Sequence, residues 1–310
     1  MSDLSNAIFH NDDAARRWLE ARLWPSGPIC PKCGVVNEAT LMQGESHRPG
    51  LYQCNACREP FTVTVGTLYE RSKVPLHKWL AATHLMMASK KGMSALQIGR
   101  MLGLSKKTSW FLCHRIRESL RETNPDLIGG DGETVEIDET FVGGLEKNKH
   151  AKKRKHLGTG GVGKEPVVAL VERGGRVRSH HVPEVNAETL APILEAHLDG
   201  ASYVYTDEGG AMKKAAKQAS DKHASVNHSI GEYVRGPVHT NTIEGYFSIM
   251  KRGIHGVYHH VSQQHLKRYL AEYDYRYNER EKLGVSDAAR MAKSVQGIVG
   301  KRLTYQTTCR

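Results

Sequence analysis

The spacing of apolar residues differs between the helical segments up to residue 120 and the chain from residue 134 onwards. Between residues 12 and 24 they recur every three or four positions behind two acidic residues, which predicts a short amphipathic helix that Pro25 stops. Residues 76–120 show the same helical spacing in three successive segments. From residue 134 onwards, short alternating or continuous apolar runs lie between glycines and further helical segments. The pattern therefore predicts a helical front followed by an α/β region.

The last two helical segments of the front are separated by a glycine turn. The earlier one is entered through Ser94 and closed by Gly103, and the later one starts near Ser105. This is the arrangement of a helix-turn-helix, whose later helix enters the major groove of DNA. We therefore predict DNA contacts from the polar residues that lead this helix, which are Lys106, Lys107, Thr108 and Ser109. The alternative is a plain three-helix unit that binds nothing.

The α/β region has a clear order of elements. Residues 134–144 predict a first strand, and the runs 166–173 and 176–183 predict two more, joined by a tight turn at Gly174-Gly175. The elements that follow are a helix at 187–198, a strand at 201–206, a helix at 210–219, a strand near 225–230 and a helix from residue 239. This order predicts a mixed sheet with helices on both faces.

Four of the six cysteines form two Cys-x-x-Cys pairs separated by twenty residues, namely Cys30, Cys33, Cys54 and Cys57. This is the spacing of a zinc ribbon. The chain starts with early acidic residues and has no apolar signal-peptide core, so we expect metal binding rather than disulfides. Four thiolates leave no open position on Zn²⁺, which predicts a structural ion. Ribbons bind DNA and protein alike, so the partner stays open.

The net charge of the chain indicates what kind of molecule it binds. The chain has 44 Lys and Arg residues against 33 Asp and Glu residues, a formal net charge of +11. Such an excess indicates a polyanionic partner, either nucleic acid or an acidic membrane surface. No run approaches the roughly 18 apolar residues of a membrane helix. Residues 147–164 are so basic and glycine-rich that we expect a mobile loop able to lie on phosphates.

Three acidic residues are candidate ligands of a second kind of metal site. Asp138 lies in the first predicted strand, Asp207 ends the fourth, and Glu244 lies near the start of the last helix. In a sheet of this order the first and fourth strands can be neighbours, which would bring the two aspartates together. Crowded carboxylates repel unless a divalent cation lies between them. Oxygen ligands select Mg²⁺ or Mn²⁺, and two such ions can drive phosphodiester chemistry. Taken alone, an aspartate at the end of a strand is more often a cap or a surface charge, and it is the combination of the three acids that favours a metal site.

The segments VEIDETFVGG, VYTDEGG and HTNTIEGYFSIMKRGIHGVYHHVSQQHLKRYLAEYDYRYN resemble the integrase domain of bacterial insertion-sequence transposases related to the Merlin group. The resemblance runs from about residue 18 to residue 278 and includes the zinc-ribbon front end. It implies a ribonuclease H-like fold and phosphoryl transfer of the DDE type. The 36 residues between Asp207 and Glu244 match that pattern, as does a basic residue seven positions after the acid, here Lys251.

The resemblance leaves two candidates for the third catalytic position. Some relatives carry Asn there, and Asn241 lies one helical turn before Glu244. A carboxylate holds Mg²⁺ more strongly than a neutral amide, so we choose Glu244 and keep Asn241 as second choice. We expect Lys251 and Arg252 to hold phosphates near the scissile bond. Four histidines could contact DNA or brace the site, namely His239, His255, His259 and His260.

Together these features predict a DNA transposase. We expect an N-terminal helix and zinc ribbon at residues 1–70, a helix-turn-helix at 71–127, a ribonuclease H-like catalytic domain at 128–300 and a tail at 301–310. The enzyme would hydrolyse a strand at the element's ends and join the 3′-hydroxyl to target DNA, on double-stranded DNA in the cytoplasm, associated with the nucleoid. Joining two ends requires a homodimer or a larger assembly. The alternatives are a zinc-dependent, sequence-specific DNA-binding regulator without catalytic activity, and a degenerate, inactive transposase copy.

Overall fold

The structure, a computed structural model, describes residues 4–144, 150–154, 161 and 163–304. These residues form two compact units, one built from the chain up to Arg121 together with the chain from Glu279, and the other from Glu122–Asn278. Most of the basic loop expected at 147–164 lies outside the described residues, as does the tail after residue 304. Within the described parts of the chain, every helix is too short or too polar to traverse a bilayer.

The first unit opens with helix α1 (Asp12–Leu23), whose first turn is capped by the side chain of Asn11. Three short strands follow, β1 (Ala39–Leu41), β2 (Tyr52–Cys54) and β3 (Pro60–Phe61), and they pair antiparallel in that order. The buried centre of this small sheet consists of Cys30, Cys54 and Phe61. This is a small core for a segment of this length.

Three helices complete the front of the first unit, α2 (Leu76–Ala88), α3 (Ala95–Leu102) and α4 (Lys106–Ser119). The predicted caps are present: Ser94 and Ser105 each accept a backbone N–H through the side-chain oxygen, and Gly103 between the helices has a left-handed φ of 63°. Glycine reaches that conformation without the penalty of a Cβ atom.

The helix near the C-terminus, Asp287–Gln296, belongs to this first unit. It packs against α2, and the buried guanidinium of Arg290 donates to the carbonyl of Met87 at 2.9 Å. The expected ranges grouped residues up to 300 with the catalytic region, whereas the compact units divide the chain at Asn278. The amphipathic pattern of this helix predicts that one face is buried, but it does not tell which unit buries it.

The second unit contains one mixed sheet. Its strands are β4 (Thr134–Val142), β5 (Glu165–Glu172), β6 (Val177–His181), β7 (Tyr203–Thr206) and β8 (His223–Ser225), in the order β6-β5-β4-β7-β8. Strands β4, β5 and β6 pair antiparallel, while β7 and β8 run parallel to β4. The predicted neighbourhood of the first and fourth strands is confirmed. Because Ile137 pairs with Thr206, Asp138 and Asp207 come next on adjacent strands.

Helices cover both faces of this sheet, as predicted. Helices α5 (Ala187–His197) and α6 (Gly210–Ala219) bury one face, against a cluster that includes Val135 and Ile137. Helices α7 (Asn241–Gly253) and α8 (Gln263–Asn278) bury the other. A π-helical turn, Ile254–Tyr258, extends α7. The fifth strand ends earlier than expected, at Ser225, because the Asn227 side chain accepts the N–H groups of two following residues and turns the chain.

A buried carboxyl joins α8 to α7 and to β6. Asp274 accepts hydrogen bonds from the N–H and the hydroxyl of Ser179, at 2.9 and 2.7 Å, and from the hydroxyl of Tyr246. Burial raises the pKa of Asp274 to about 7, although these donors act in the opposite direction. Folding therefore favours the protonated carboxyl at this position.

Asp274 should make the stability of the protein fall as pH rises. Its folded pKa lies above the unfolded value, so its stabilising contribution is complete below about pH 4 and is lost as pH rises through about 7, amounting to at most about 4 kcal/mol. Urea denaturation at acidic and neutral pH would measure this slope. Asp274→Asn should remove the part of this slope that Asp274 contributes. Equal slopes in the variant and the wild type would contradict the assignment.

Candidate metal centres and catalytic site

The four predicted zinc ligands meet in the first unit. The sulfur atoms of Cys30, Cys33, Cys54 and Cys57 all lie within 4.8 Å of one another. The sulfurs of Cys30 and Cys57 are 3.6 Å apart, as are those of Cys33 and Cys54. Tetrahedral coordination with Zn–S bonds near 2.3 Å places sulfurs about 3.8 Å apart. The cluster therefore fits a structural zinc ion.

The backbone around the cysteines has the same form in both pairs. The residue after each second cysteine, Gly34 or Arg58, adopts a left-handed conformation with a φ of 76° or 62°. Its N–H donates to the carbonyl of the first cysteine of the pair, Cys30 or Cys54, at 2.9 or 3.0 Å. Burial acts to raise the pKa of Cys30, but nearby backbone N–H groups lower it to about 7. Such N–H donors favour the thiolate form that binds metal.

A second cluster consists of carboxylates in the other unit. Asp138, on the central strand β4, and Asp207, directly after β7, come together with Glu139, so that one oxygen of each lies within 4.8 Å of the others. An oxygen of Asp207 accepts the N–H of Gly209 at 2.9 Å, and one of Asp138 accepts the N–H of Glu139 at 2.8 Å. These local bonds orient both aspartates at the same edge of the sheet.

The sequence did not lead us to Glu139. In a strand, neighbouring side chains point to opposite faces, so alternation alone places the residue after Asp138 away from the site. The pairing of β4 with β7 ends at Ile137, and beyond that pair Glu139 also reaches Asp207. Its buried Oε2 has no hydrogen-bond partner among the described residues. The hint that the sequence offers is that Glu139 directly follows Asp138 in the segment IDET, so that two acidic residues are adjacent.

Burial and crowding make this cluster electrostatically costly without a cation. Burial raises the pKa of Asp138 to about 8, and the charges of Asp207, Glu139 and Glu244 act in the same direction. Burial and the charge of Asp207 also raise the pKa of Glu139. Carboxylates arranged in this way are stabilised by a divalent cation, whose preferred ligands are oxygen atoms. The residues present therefore fit Mg²⁺ or Mn²⁺.

Helix α7 brings two of the predicted residues within electrostatic reach of Asp138. Glu244 is exposed in its first turn, and its charge raises the pKa of Asp138, although it lies outside the 4.8 Å cluster. Lys251, two turns later, is partly buried. Burial lowers its pKa, although the charge of Asp138 acts in the opposite direction. Asn241 is exposed, and its N–H points to the ring of His239.

The remaining predicted residues differ in exposure. Those exposed in the second unit are Arg252, His255, His259 and His260. In the first unit, Lys106 and Lys107 are exposed at the start of α4, and the hydroxyl of Thr108 bonds with that of Ser105 in the cap. Ser109 is fully buried, and its hydroxyl donates to the carbonyl of Lys106. Its side chain therefore does not lie on the surface of α4, which does not fit the predicted contact with DNA.

Comparison with known proteins identifies the class. Residues 130–278, which contain the carboxylate cluster, match the ISXO2-like transposase domain, and residues 10–59, which contain the four cysteines, match a transposase zinc-ribbon domain. The chain is also 30% identical, over 278 residues, to an uncharacterized protein in transposable element ISH50 of Halobacterium salinarum, covering 86% of this chain and 91% of the relative. The chain belongs to the ISXO2-like transposase family, and the resemblance to zinc-ribbon insertion-sequence transposases is confirmed.

Proposed function

We propose that this chain is a metal-dependent DNA transposase that hydrolyses a phosphodiester at the ends of its element and transfers the freed 3′-hydroxyl to target DNA. The observation that carries the proposal is the carboxylate cluster. Asp138, Glu139 and Asp207 converge within 4.8 Å at one edge of a mixed sheet, inside the segment that matches a transposase domain. A regulator that only bound DNA would have no use for such repelling charges.

We further propose that the sheet of the second unit is the ribonuclease H-like fold implied by the family resemblance. Three antiparallel strands are followed by two parallel ones, and the first strand lies at the centre. Asp138 is on that central strand, Asp207 ends its parallel neighbour, and α7 carries the third acid across the adjacent face. This arrangement supports the DDE type of phosphoryl transfer.

In this proposal each side chain has a distinct task. Asp138 and Asp207 hold the catalytic ions, with Glu139 and Glu244 as additional ligands. When bound, Mg²⁺ or Mn²⁺ would supply activation of the attacking water or 3′-hydroxyl and stabilisation of the leaving oxygen. Lys251, within electrostatic reach of Asp138, binds a phosphate oxygen and offsets negative charge that develops during the reaction. Arg252 is exposed next to it and contacts the DNA backbone.

For the first unit, we propose that zinc holds the ribbon and that α3 and α4 form a helix-turn-helix on DNA. The exposed ammonium groups of Lys106 and Lys107 start α4, where they can reach phosphates or base edges. The formal charge of +11 supports a DNA partner. Cutting and joining two ends requires at least two protomers, so we propose a homodimer or larger assembly on double-stranded DNA.

The experiment that tests the function uses the zinc-loaded full chain and labelled duplexes that contain or lack an element end. With Mg²⁺ or Mn²⁺ we expect a nick that leaves a 3′-hydroxyl, followed by joining to a target duplex. A wild-type chain that binds ends but cuts them with neither ion would favour the DNA-binding regulator or an inactive copy.

Glu244→Gln should reduce cleavage far more than Asn241→Ala. Glu244 interacts electrostatically with Asp138, and a neutral amide in its place binds a divalent ion more weakly, so we expect a loss of about 100-fold or more. Asn241 carries no charge, and its replacement should cost less than about tenfold. Rates at saturating DNA would measure both effects. If only the Asn241 change abolishes cleavage, Asn241 is the third ligand instead.

A further inference from the structure

A buried carboxylate two residues before Asp138 binds the first turn of α7. Glu136, on β4, is 0% exposed. Its Oε2 accepts the backbone N–H groups of Thr242 at 2.8 Å and Ile243 at 3.0 Å, and its Oε1 accepts the Thr242 hydroxyl at 2.8 Å. The first N–H groups of a helix have no partner within the helix, and they attract negative charge. Glu136 therefore fastens the start of α7 to the central strand.

Arg173, directly after β5, binds the same carboxylate and the segment that leads into α7. Its Nε donates to Glu136 Oε1 at 2.7 Å, and its Nη1 donates to the carbonyl of Pro237 at 2.8 Å. Its Nη2 donates to the carbonyl and to Nδ1 of His239, both at 3.0 Å. The guanidinium also lies 5.0 Å from the centre of the Tyr205 ring on β7. One side chain thus joins the sheet to three acceptors at the entrance of the helix.

The hydrogen bonds also assign a role to His239. Its Nδ1 approaches Glu136 Oε1 at 3.3 Å, which suggests an ion pair. However, Nη2 of Arg173 donates to that same nitrogen, so Nδ1 acts as an acceptor there. Nδ1 of His239 and Oε1 of Glu136 lie close together because each accepts a hydrogen bond from Arg173. His239 therefore braces the entrance of α7 through its contacts with Arg173.

We propose that Glu136 and Arg173 are positioning residues that set the spacing between Asp138 and Glu244 in the proposed metal site. Residues advance about 3.3 Å along a strand, so Glu136 and Asp138 lie about 7 Å apart on one face of β4. Glu244 directly follows Ile243, whose N–H is bound to Glu136. The contacts of Glu136 therefore fix Glu244 relative to Asp138. This inference rests on the proposed function, because it assigns the two residues to the metal site of that function.

The same contacts limit where DNA can bind. The N-terminus of a helix is a common phosphate site, because its free N–H groups and its dipole attract anions. In α7 the carboxylate of Glu136 already occupies the N–H groups of Thr242 and Ile243. A phosphate of the substrate must therefore bind elsewhere on α7, and Lys251 and Arg252 near its other end are the available cations.

The test replaces Glu136 by Gln and measures Mn²⁺ in two ways. Glutamine keeps the size of the side chain, but its NH₂ group cannot accept the bonds that the carboxylate accepts. Mn²⁺ binding to the zinc-loaded chain without DNA, followed by electron paramagnetic resonance, should weaken about 10- to 100-fold. The Mn²⁺ concentration that gives half-maximal cleavage should rise by the same factor, while saturating Mn²⁺ restores part of the maximal rate.

Two further variants keep the proposal testable if Glu136→Gln folds poorly. Glu136→Asp retains the charge on a shorter side chain and should give an intermediate Mn²⁺ affinity. Arg173→Lys retains the charge but cannot reach several acceptors at once, and should also be intermediate. Circular dichroism and thermal unfolding would establish that each chain is folded. A folded variant of either kind with wild-type Mn²⁺ affinity would overturn the assignment of its residue.

Glu272→Gln is the matched control. Glu272 is also a carboxylate with 0% exposure in the second unit, but it binds Arg276 on its own helix α8 and the hydroxyl of Tyr258. The Glu272→Gln substitution should lower the stability of the protein and leave its affinity for Mn²⁺ unchanged. If Glu136→Gln and Glu272→Gln weaken the affinity for Mn²⁺ equally, Glu136 only stabilises the fold and the proposal is overturned. If the wild type and Asp138→Asn bind Mn²⁺ with equal affinity, the carboxylate cluster is not the Mn²⁺ site, and the proposed function is contradicted as well.

Discussion

Asp138→Asn should abolish metal-dependent cleavage of end-containing DNA and leave DNA binding intact. Asp138 lies at the centre of the carboxylate cluster, where Asp207, Glu139 and Glu244 all act on its pKa. A bound ion contributes several kcal/mol to the stabilisation of charge in the transition state, and each 1.4 kcal/mol corresponds to about a tenfold rate. The loss of one charged ligand should therefore slow cleavage by about 1000-fold or more. Asp207→Asn should have the same effect.

Stability provides a second readout for these variants. In the absence of metal, burial favours the neutral form of Asp138. Asparagine is neutral and nearly the same size, so the metal-free variant should unfold at the same temperature as the wild type or at a higher one. Asp221, an exposed aspartate of the same unit, offers a control in Asp221→Asn that should retain cleavage. Wild-type rates in both cluster variants would exclude a catalytic role for the cluster.

Removal of zinc should unfold the ribbon and leave the mixed sheet folded. Structural zinc contributes about 10–16 kcal/mol to small metal domains, as much as the whole stability of a typical domain. The buried centre of the ribbon consists of Cys30, Cys54 and Phe61, a small core, so we expect the ion to supply most of its stability. A strong chelator, or Cys54→Ser, should release about one zinc per chain. Hydrogen exchange should then become fast in β1–β3 and stay slow in β4 and β5.

Cys113→Ser is the control for the zinc experiment. Cys113 is a buried cysteine of α4 and lies outside the four-sulfur cluster. Its replacement should leave the zinc content unchanged. Protection of β1–β3 that persists after complete removal of zinc would show that the ribbon folds without the ion.

Local patterns in the sequence predicted the features that depend on local geometry. The spacing of the cysteines predicted the four-sulfur cluster, and the serines before α3 and α4 predicted their caps. The order of strands and helices predicted that β4 and β7 are neighbours, because few topologies satisfy the rules of connection. The closeness of Asp138 and Asp207 was therefore predicted from the sequence.

Contacts between distant segments could not be predicted in this way. The alternation of β4 places Glu136 on the face of Asp138, but it does not predict the hydrogen bonds that join Glu136 to Thr242, 106 positions later. Glu139 reaches Asp207 beyond the end of the β4–β7 pairing, and the burial of Ser109 depends on the close approach of α4 to Gly99 of α3. Each of these facts is set by tertiary geometry, which a periodic pattern does not contain.

The first unit is assembled from both ends of the described chain, and this has a consequence during synthesis. Residues 122–278 leave the ribosome as one continuous stretch, so the carboxylate cluster can form before the Asp287–Gln296 helix exists. That helix, which packs against α2, is synthesised after residues 122–278. A product that stopped after residue 278 would therefore contain every acidic residue of the proposed catalytic site but an incomplete first unit. The unit proposed to bind DNA would thus be finished only after the proposed catalytic unit has been made.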